Sequence, residues 1–177
     1  MSDWHATRAK PDSDADAARV PLKRHSQPLP LVSGTWLVHC DGSAFPNPGT
    51  MGLGATLSGP DGQHHELSVT GISKGCNNEA EARAMLVALE LARLLGARNV
   101  RIHSDSRVVV DQLSGLDSRK IDRLEELFEN IRVMLASFDE ASVVWIPGHR
   151  NTEADALARA AAGLPPRPPV TKAKRKR

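Results

Sequence analysis

Apolar and β-branched residues cluster in five short segments that predict β-strands. The segments are bounded by glycine, proline or polar residues. They are TWLVHC (35–40), MGLGATLSG (51–59), HHELSVTG (64–71), NVRIHS (99–104) and ASVVWI (141–146). Between the second and third segments, PDGQ has Asp-Gly at its centre and predicts a hairpin turn. The first three strands are therefore predicted to form an antiparallel meander.

Four other segments predict helices. They cover residues 78–96, 106–114, 119–136 and 151–163. Apolar residues recur in them at helical spacing. Three of the helices end at a glycine, Gly96, Gly115 or Gly163, and Asn151 or Thr152 is predicted to cap the last one. The resulting order, βββαβααβα, predicts an α/β domain in which helices pack on a mixed sheet.

Both ends of the chain differ in composition from its middle. Residues 1–33 contain four prolines and scattered charge without periodicity, and we predict that they form a disordered tail. Residues 164–177, LPPRPPVTKAKRKR, are rich in proline and then basic. The whole chain has a net charge of +2, its first 33 residues +1 and residues 164–177 +6, so residues 34–163 carry −5. The sequence therefore predicts one domain, residues 34–163, between two tails.

The basic tail has two interpretations. Basic runs commonly contact the phosphates of nucleic acids, and such a tail can equally be disordered and serve only solubility. An acidic domain that binds a polyanion needs cations between its acids and the phosphates. This charge distribution therefore already favours metal ions.

No segment predicts a membrane span or an export signal. No apolar run reaches the roughly 18 residues that a span needs, and the N-terminus lacks the apolar region of a signal peptide. The sequence therefore predicts a cytoplasmic monomer without membrane contact. Cys40 and Cys76 form no CxxC pair and are expected to be free thiols in a reducing compartment.

Helical phase distinguishes two carboxylates in NNEAEARAMLVALELA. Side chains rotate by about 100° per residue, which aligns Glu81 with the apolar stripe that begins at Met85. Glu79 falls on the opposite, solvent-facing side, where Arg83 forms an i,i+4 pair of favourable sign with it. A carboxylate on the packing face is costly unless it is paired. Glu81 is therefore either a helix-start acid favoured by the helix dipole or a functional group.

Three aspartates can join Glu81 at one edge of the sheet. Asp41 and Asp105 follow the similar segments VHC and IHS at the ends of the first and fourth strands, and Asp155 lies in the first turn of the last helix. Ligand sites of α/β sheets lie at the carboxyl ends of strands. Each aspartate alone could be a turn or cap residue. Four convergent acids, however, raise one another's pKa values and require cations.

Oxygen ligands favour Mg²⁺, which Mn²⁺ can replace. Two such ions about 4 Å apart are the arrangement used for in-line phosphodiester displacement. The pattern thus predicts a two-metal site that acts on a phosphodiester.

Four segments in this order resemble type 1 ribonuclease H. They are CDGSAFPNPGTMGLGA, NNEAEARAMLVALELA, HSDSRVVVDQLSG and VVWIPGHRNTEADALARAA, and together they cover essentially all of residues 34–163. The resemblance implies a ribonuclease H-like α/β fold with a five-stranded mixed sheet. It also implies an endoribonuclease that hydrolyses the RNA strand of an RNA–DNA hybrid and leaves 5′-phosphate and 3′-hydroxyl ends.

Site residues follow from the same resemblance. The family's acidic quartet falls on Asp41, Glu81, Asp105 and Asp155. Its glutamate is Glu81, the residue that the helical-phase argument also selects. His149 corresponds to the family's mobile histidine near the second metal, with a suggested role in proton shuttling or product release. The alternative for His149 is a loop histidine that only contacts backbone.

Substrate contacts are also implied. Side chains and backbone groups that would hold the hybrid are those of Gly42, Ser43, Ala44, Asn47, Asn77 and Asn78. The last two could instead only cap the helix, and the 2′-hydroxyl is the group that separates RNA from DNA.

The chain departs from the family at three places. Cys76 replaces a threonine that contacts a DNA-strand phosphate, and Arg107 replaces a glutamine of some members. The loop after LSGLDSRK has no basic, Trp-bearing protrusion, which is typical of the compact branch. Residues 172–177 are then the expected source of additional phosphate contacts.

Two other functions remain open at this point. One is a DNA nuclease on the same fold, and the other is a non-catalytic nucleic-acid-binding module. The paired asparagines and GHRNTEAD favour the hybrid-cleaving enzyme over the DNA nuclease. The presence of all four acids favours it over the non-catalytic binding module.

Overall fold

A computed structural model describes residues 31, 33–115 and 121–168 of the chain. The predicted disorder of the N-terminal tail falls almost entirely outside these residues. So do the basic run 172–177 and its expected phosphate contacts, which stay predictions.

The described residues form five strands, four α-helices and two short 3₁₀ turns. The strands are β1 (Thr35–Phe45), β2 (Gly49–Ser58), β3 (His64–Gly75), β4 (Asn99–Ser104) and β5 (Glu140–Trp145). The helices are α1 (Asn77–Leu94), α2 (Arg107–Leu113), α3 (Glu125–Ala136) and α4 (Thr152–Ala161). The 3₁₀ turns are Asp122–Leu124 and Gly148–Arg150. This order confirms the predicted βββαβααβα arrangement.

The strands form one mixed sheet in the order β3-β2-β1-β4-β5. Neighbours among β1, β2 and β3 are antiparallel, whereas β4 is parallel both to β1 and to β5. The five-stranded mixed sheet, its antiparallel meander and the parallel pairing of the first and fourth strands are all confirmed.

Strand β1 continues beyond its predicted end at Cys40 to Phe45. It pairs with β4 only as far as His39, opposite His103, but with β2 over its whole remaining length. The segment DGSAF has little intrinsic strand propensity, and pairing with β2 overrides that preference. Asp41 therefore lies inside the strand and not after it, which corrects the prediction. It still lies at the rim, because β1 has no β4 partner there.

Helix boundaries differ from the predicted ones by one to a few residues. Helix α1 stops just before Gly96, which adopts a φ of 83°. Ser106 caps α2 through a hydrogen bond that its Oγ accepts from Val109 N at 3.5 Å. Within the predicted helix 119–136, the regular α-helix begins only at Glu125, after a 3₁₀ turn. No helix in residues 33–115 or 121–168 is long and apolar enough to cross a membrane.

Helices cover both faces of the sheet and approach it through glycines. A Cβ added to Gly42 would collide with the backbone of α1, and one added to Gly52 or Gly54 would collide with the backbone of α4. Gly54 is the register partner of Asp41, the neighbour of Gly42. Because adjacent residues of a strand face opposite sides, α1 and α4 lie on opposite faces. Their N-terminal turns therefore reach the same rim from two sides.

Candidate active site

Three of the four predicted acids converge at the rim where β1 and β4 separate. Asp41, Glu81 and Asp105 each offer a carboxylate oxygen, and these oxygens all lie within 4.8 Å of one another. Asp41 is buried in β1, whereas Glu81 of α1 and Asp105, which directly follows β4, are half-buried. Side chains from three separate elements thus form one oxygen-rich cluster.

Helix α1 holds Glu81 against β1. The helix packs directly on Gly42, and the Gly42 amide donates a hydrogen bond to Glu81 Oε2 at 3.2 Å. The helical-phase argument therefore selected the acid that points to the site. Glu79 forms the expected ion pair with Arg83 at 2.9 Å. Its side chain is nevertheless only 16% exposed and also lies 3.9 Å from Arg123, so the prediction of a solvated pair is wrong.

A buried asparagine holds Asp105 in place. Asn151 is 2% exposed, and its Nδ2 donates hydrogen bonds to Asp105 Oδ1 at 2.8 Å and to the Cys40 carbonyl at 3.0 Å. It occupies the N-cap position of α4, but its side chain makes no capping hydrogen bond. The predicted cap position is therefore confirmed for Asn151, but the side-chain hydrogen bond expected of a cap is absent. Asn151 instead joins the start of α4 to both β1 and Asp105, a role that its cap-like sequence position concealed.

Asp155, the fourth predicted acid, lies beside the cluster and has a different partner. Its carboxylate accepts hydrogen bonds from Arg167 Nε at 2.9 and 2.8 Å and from Arg167 Nη2 at 2.7 Å. The side chain of Asp155 is 15% exposed. The structure therefore brings three acids together and places an arginine on the fourth. Nothing in the sequence pattern singled out Arg167.

The exposed His149 lies in the 3₁₀ turn that precedes α4. This turn passes close to the acids, since a Cβ added to Gly148 would lie 2.8 Å from Asp105 Oδ2. His149 thus belongs to a solvent-exposed segment next to the cluster. Its catalytic role stays a prediction.

The predicted substrate-binding residues surround the N-terminus of α1. Asn77 Oδ1 accepts a hydrogen bond from the Ala44 amide at 2.8 Å, and Asn47 Oδ1 accepts one from the Asn77 amide at 3.2 Å. Asn47 lies in the β1–β2 turn, in which the Phe45–Pro46 and Asn47–Pro48 peptide bonds are both cis. Ser43 and Asn78 are half-buried on the same two elements. The amides of Gly42 and Ala44 already have partners within the protein.

Arg123 is a second cation that sequence reasoning missed. Its Nη2 donates to the Cys76 sulfur at 2.9 Å, at the N-cap position of α1. This hydrogen bond, together with those from the Glu79 and Asn78 amides, outweighs desolvation and lowers the pKa of the Cys76 thiol. Both described cysteines are free, and Cys40 is fully buried. An arginine therefore contacts Cys76, which stands where the family's threonine contacts a DNA-strand phosphate.

Two acids of the cluster, Asp41 and Glu81, have strongly raised pKa values. Burial, followed by the charges of Asp105 and Asp155, raises the pKa of Asp41 to about 7, and Arg167 partly opposes this rise. Burial, followed by Asp41 and Asp105, also raises the pKa of Glu81 well above its usual value. Such a site is unfavourable as a set of anions alone. Its hard oxygen donors and accumulated negative charge fit divalent cations such as Mg²⁺ or Mn²⁺.

Metal-free protein should lose stability as pH rises. Burial raises the pKa of Asp41 to about 7 in the folded state, against an ordinary value of 3.8, so between these values the folded state binds more protons than the unfolded state. Stability then falls as pH increases from about 4 to above 7. Between about pH 4 and above pH 7, we expect the free energy of unfolding of wild type to fall by roughly 2–4 kcal/mol relative to that of Asp41→Asn. Chemical unfolding in EDTA across pH measures the difference.

Saturating Mg²⁺ should abolish most of that loss at pH 8, because cations bind the ionised acids. Comparison with Asp41→Asn cancels the titration of groups that lie away from the acidic cluster, which both proteins share. If the difference in the free energy of unfolding between the two proteins did not change with pH, the raised pKa of Asp41 would be contradicted.

Comparisons with known proteins agree with this arrangement. The family model described as "Reverse transcriptase-like" matches residues 39–161. A bifunctional protein of Mycobacterium tuberculosis is 34% identical over 125 residues, which are 69% of this chain and 34% of that protein. The chain thus spans about a third of the length of the first curated relatives that it matches.

Solved ribonuclease H structures share the fold over nearly their whole length. The crystal structure of ribonuclease H1 from the archaeon Halobacterium salinarum has 33% identity and a TM-score of 0.69, and it covers 73% of this chain and 98% of that one. LC11 ribonuclease H1, crystallised with an RNA/DNA hybrid, has 30% identity and a TM-score of 0.66, and the match covers 72% of this chain and 96% of that one. The matched region contains every element that carries the acidic cluster, and the chain belongs to the type 1 ribonuclease H family.

Proposed function

We propose that this protein is a metal-dependent endoribonuclease that hydrolyses the RNA strand of RNA–DNA hybrids. The observation that carries the proposal is the convergence of Asp41, Glu81 and Asp105 within 4.8 Å at an open rim of the sheet. Membership of the ribonuclease H family and the hybrid bound by LC11 ribonuclease H1 support the choice of substrate. The products would carry 5′-phosphate and 3′-hydroxyl ends.

The four acids would hold two divalent cations, Mg²⁺ or Mn²⁺. When bound, such ions lower the pKa of an attacking water and stabilise the leaving oxygen. Asp41, Glu81 and Asp105 supply oxygens from three rigid elements, and Asp155 completes the set once it is released from its arginine partner. Asn151 orients Asp105 through its 2.8 Å hydrogen bond. His149, exposed in the adjacent turn, would transfer a proton or assist product release.

The hybrid would lie across the N-terminus of α1. Asn47, Asn77 and Asn78 present polar side chains there, and contacts to 2′-hydroxyls in the minor groove would select RNA. Arg123, held beside Cys76, supplies positive charge for a phosphate of the DNA strand. The basic residues 172–177 would add further phosphate contacts, each of which increases the salt dependence of binding.

Side-by-side cleavage assays test the proposal. Hybrid, duplex DNA and duplex RNA of one sequence, each labelled on one strand, are incubated with Mg²⁺ or Mn²⁺ and with EDTA. We expect cleavage of the RNA strand of the hybrid alone, dependent on the metal, with 5′-phosphate on the downstream product.

Cut duplex DNA would instead favour the DNA nuclease. Hybrid that is bound but left intact in both metals would favour the non-catalytic binding module. Either result would overturn the proposed activity while leaving the family assignment in place.

A further inference from the structure

Arg167 occupies the position of a cation at Asp155. The guanidinium forms three hydrogen bonds of 2.7–2.9 Å that engage both carboxylate oxygens. Such forked arginine–carboxylate pairs are short, charge-assisted and geometrically specific. Arg167 lies 12 residues after Asp155, beyond the end of α4, so the pair is a tertiary contact and not a neighbour interaction within the helix.

The chain is built to return to the site after α4. Gly163 ends the helix with a φ of 75°, and the Leu164 amide donates to the Arg159 carbonyl at 2.8 Å. Arg159 then binds the carbonyl of Pro165 through Nε at 3.1 Å and Nη2 at 2.7 Å. We call residues 164–168, LPPRP, the return segment. Its three prolines restrict the backbone, which reduces the entropy lost when Arg167 is placed on Asp155.

The contact also acts on the acidic cluster through Asp41. The charge of Arg167 lowers the pKa of Asp41, and Asp155 together with Asp41 and Asp105 raises that of Arg167. Asp155 is also the one acid of the predicted quartet outside the close carboxylate group. A divalent cation that uses Asp155 would meet the guanidinium at the same two oxygens, and two cations cannot share them without strong repulsion.

We propose that the return segment is an autoinhibitory strap in which Arg167 competes with a divalent cation for Asp155. The inference rests on the proposed role of Asp155 as a metal ligand. A divalent cation that binds Asp155 displaces Arg167. Binding of the full set of cations is therefore coupled to dissociation of the return segment from Asp155. The Arg167 side chain is 68% exposed and the Asp155 side chain is 15% exposed, so solvent weakens the pair in part and a bound cation can displace the arginine.

The test measures metal affinity directly. Free Mn²⁺ is quantified by its electron paramagnetic resonance signal during titration of the full chain without nucleic acid. Arg167→Ala should bind Mn²⁺ about 3- to 5-fold more tightly at the weaker of the two metal sites, as expected for the loss of a partly exposed competing pair. In an Asp155→Asn background, the same substitution should change the affinity by less than about 1.5-fold, since the pair no longer exists.

Arg98→Ala is the matched control. It also removes one exposed arginine that is paired with an aspartate, Asp139 at 2.7 Å, but this arginine precedes β4 and so lies at the opposite end of the strand from Asp105. We expect no change in Mn²⁺ affinity for this variant. An equal gain in Arg98→Ala, or unchanged or weaker binding in Arg167→Ala, would overturn the strap.

Failure of the strap is distinguishable from failure of the proposed function. The Mn²⁺ titration contains no substrate, whereas cleavage by wild type is decided in the hybrid assay. If the protein is inactive but has the strap, Arg167→Ala still binds Mn²⁺ more tightly while the hybrid stays intact. If the enzyme is active without a strap, the hybrid is cleaved and the Mn²⁺ affinity of Arg167→Ala is unchanged.

Discussion

Asp105→Asn should lose cleavage of the hybrid by about 10³-fold or more while the protein stays folded. The substitution removes one of three carboxylates whose oxygens lie within 4.8 Å. A catalytic cation contributes several kcal/mol to transition-state stabilisation, and each 1.36 kcal/mol is a factor of ten in rate. The measurement is kcat on a labelled hybrid at saturating Mg²⁺.

The fold should tolerate this change because asparagine keeps the critical acceptor. Asn151 Nδ2 can still donate to the Oδ1 of the new side chain, as it does to Asp105 at 2.8 Å. Removal of one negative charge also relieves repulsion with Asp41 and Glu81, whose pKa values Asp105 raises. We therefore expect a melting temperature in EDTA at pH 8 that equals or exceeds that of wild type.

Asp139→Asn provides the isosteric control. Asp139 is an exposed acid that pairs only with Arg98 among the described residues, far from the cluster. Its substitution should leave kcat within about twofold and change stability by less than about 1 kcal/mol. Substantial cleavage by Asp105→Asn would refute its assignment as a metal ligand. An equal loss of kcat in Asp105→Asn and Asp139→Asn would point to a nonspecific effect of charge.

Local sequence patterns were sufficient to predict the elements and three acids of the site. Strands β1 and β4 were recognisable from their apolar composition, and the repeated pattern that places Asp41 and Asp105 directly after the apolar segments VHC and IHS indicated a shared edge. Helical phase separated Glu81 from Glu79, because burial of one helix face is a local, periodic property. These features depend on residues close in sequence, which is why a single sequence contains them.

Tertiary partners of polar residues were not predictable in the same way. Asn151 has the residue type and position of a helix cap, yet its amide bonds Cys40 and Asp105, which are 111 and 46 residues away. Arg167 is one of six basic residues in the last 14 positions and has no local feature that assigns it to Asp155. The extension of β1 to Phe45 likewise depends on β2. In each case a long-range partner overrides the local preference.

Gly42→Ala should destabilise the domain and displace α1 from β1. The added Cβ would lie far closer than 3.0 Å to the Ala80 carbonyl carbon and the Glu81 amide nitrogen. No side-chain rotation relieves a collision with helix backbone, so α1 must move away from β1. Overpacking of this kind costs about 1–3 kcal/mol and occasionally more, and we expect a loss of about 3 kcal/mol in the free energy of unfolding, measured in urea.

Activity should fall further than stability alone explains. The Gly42 amide donates to Glu81 Oε2 at 3.2 Å, so displacement of α1 moves this carboxylate away from Asp41 and Asp105. A misplacement of about 1 Å at a catalytic centre costs on the order of 10²-fold in rate. We expect such a loss in kcat at temperatures where the variant is fully folded, with weaker binding of Mn²⁺.

Gly59→Ala distinguishes this effect from a general intolerance of alanine. Its added Cβ would lie 3.1 Å from the Trp36 ring, so it requires a shift of only a few tenths of an ångström from a side chain and none from backbone. We expect a cost below about 1 kcal/mol and unchanged kcat. If Gly42→Ala behaved like Gly59→Ala, then α1 would not be held against β1 as tightly as the structure describes. The position of Glu81 would then have to depend on bound cations and not on the packing of the helix.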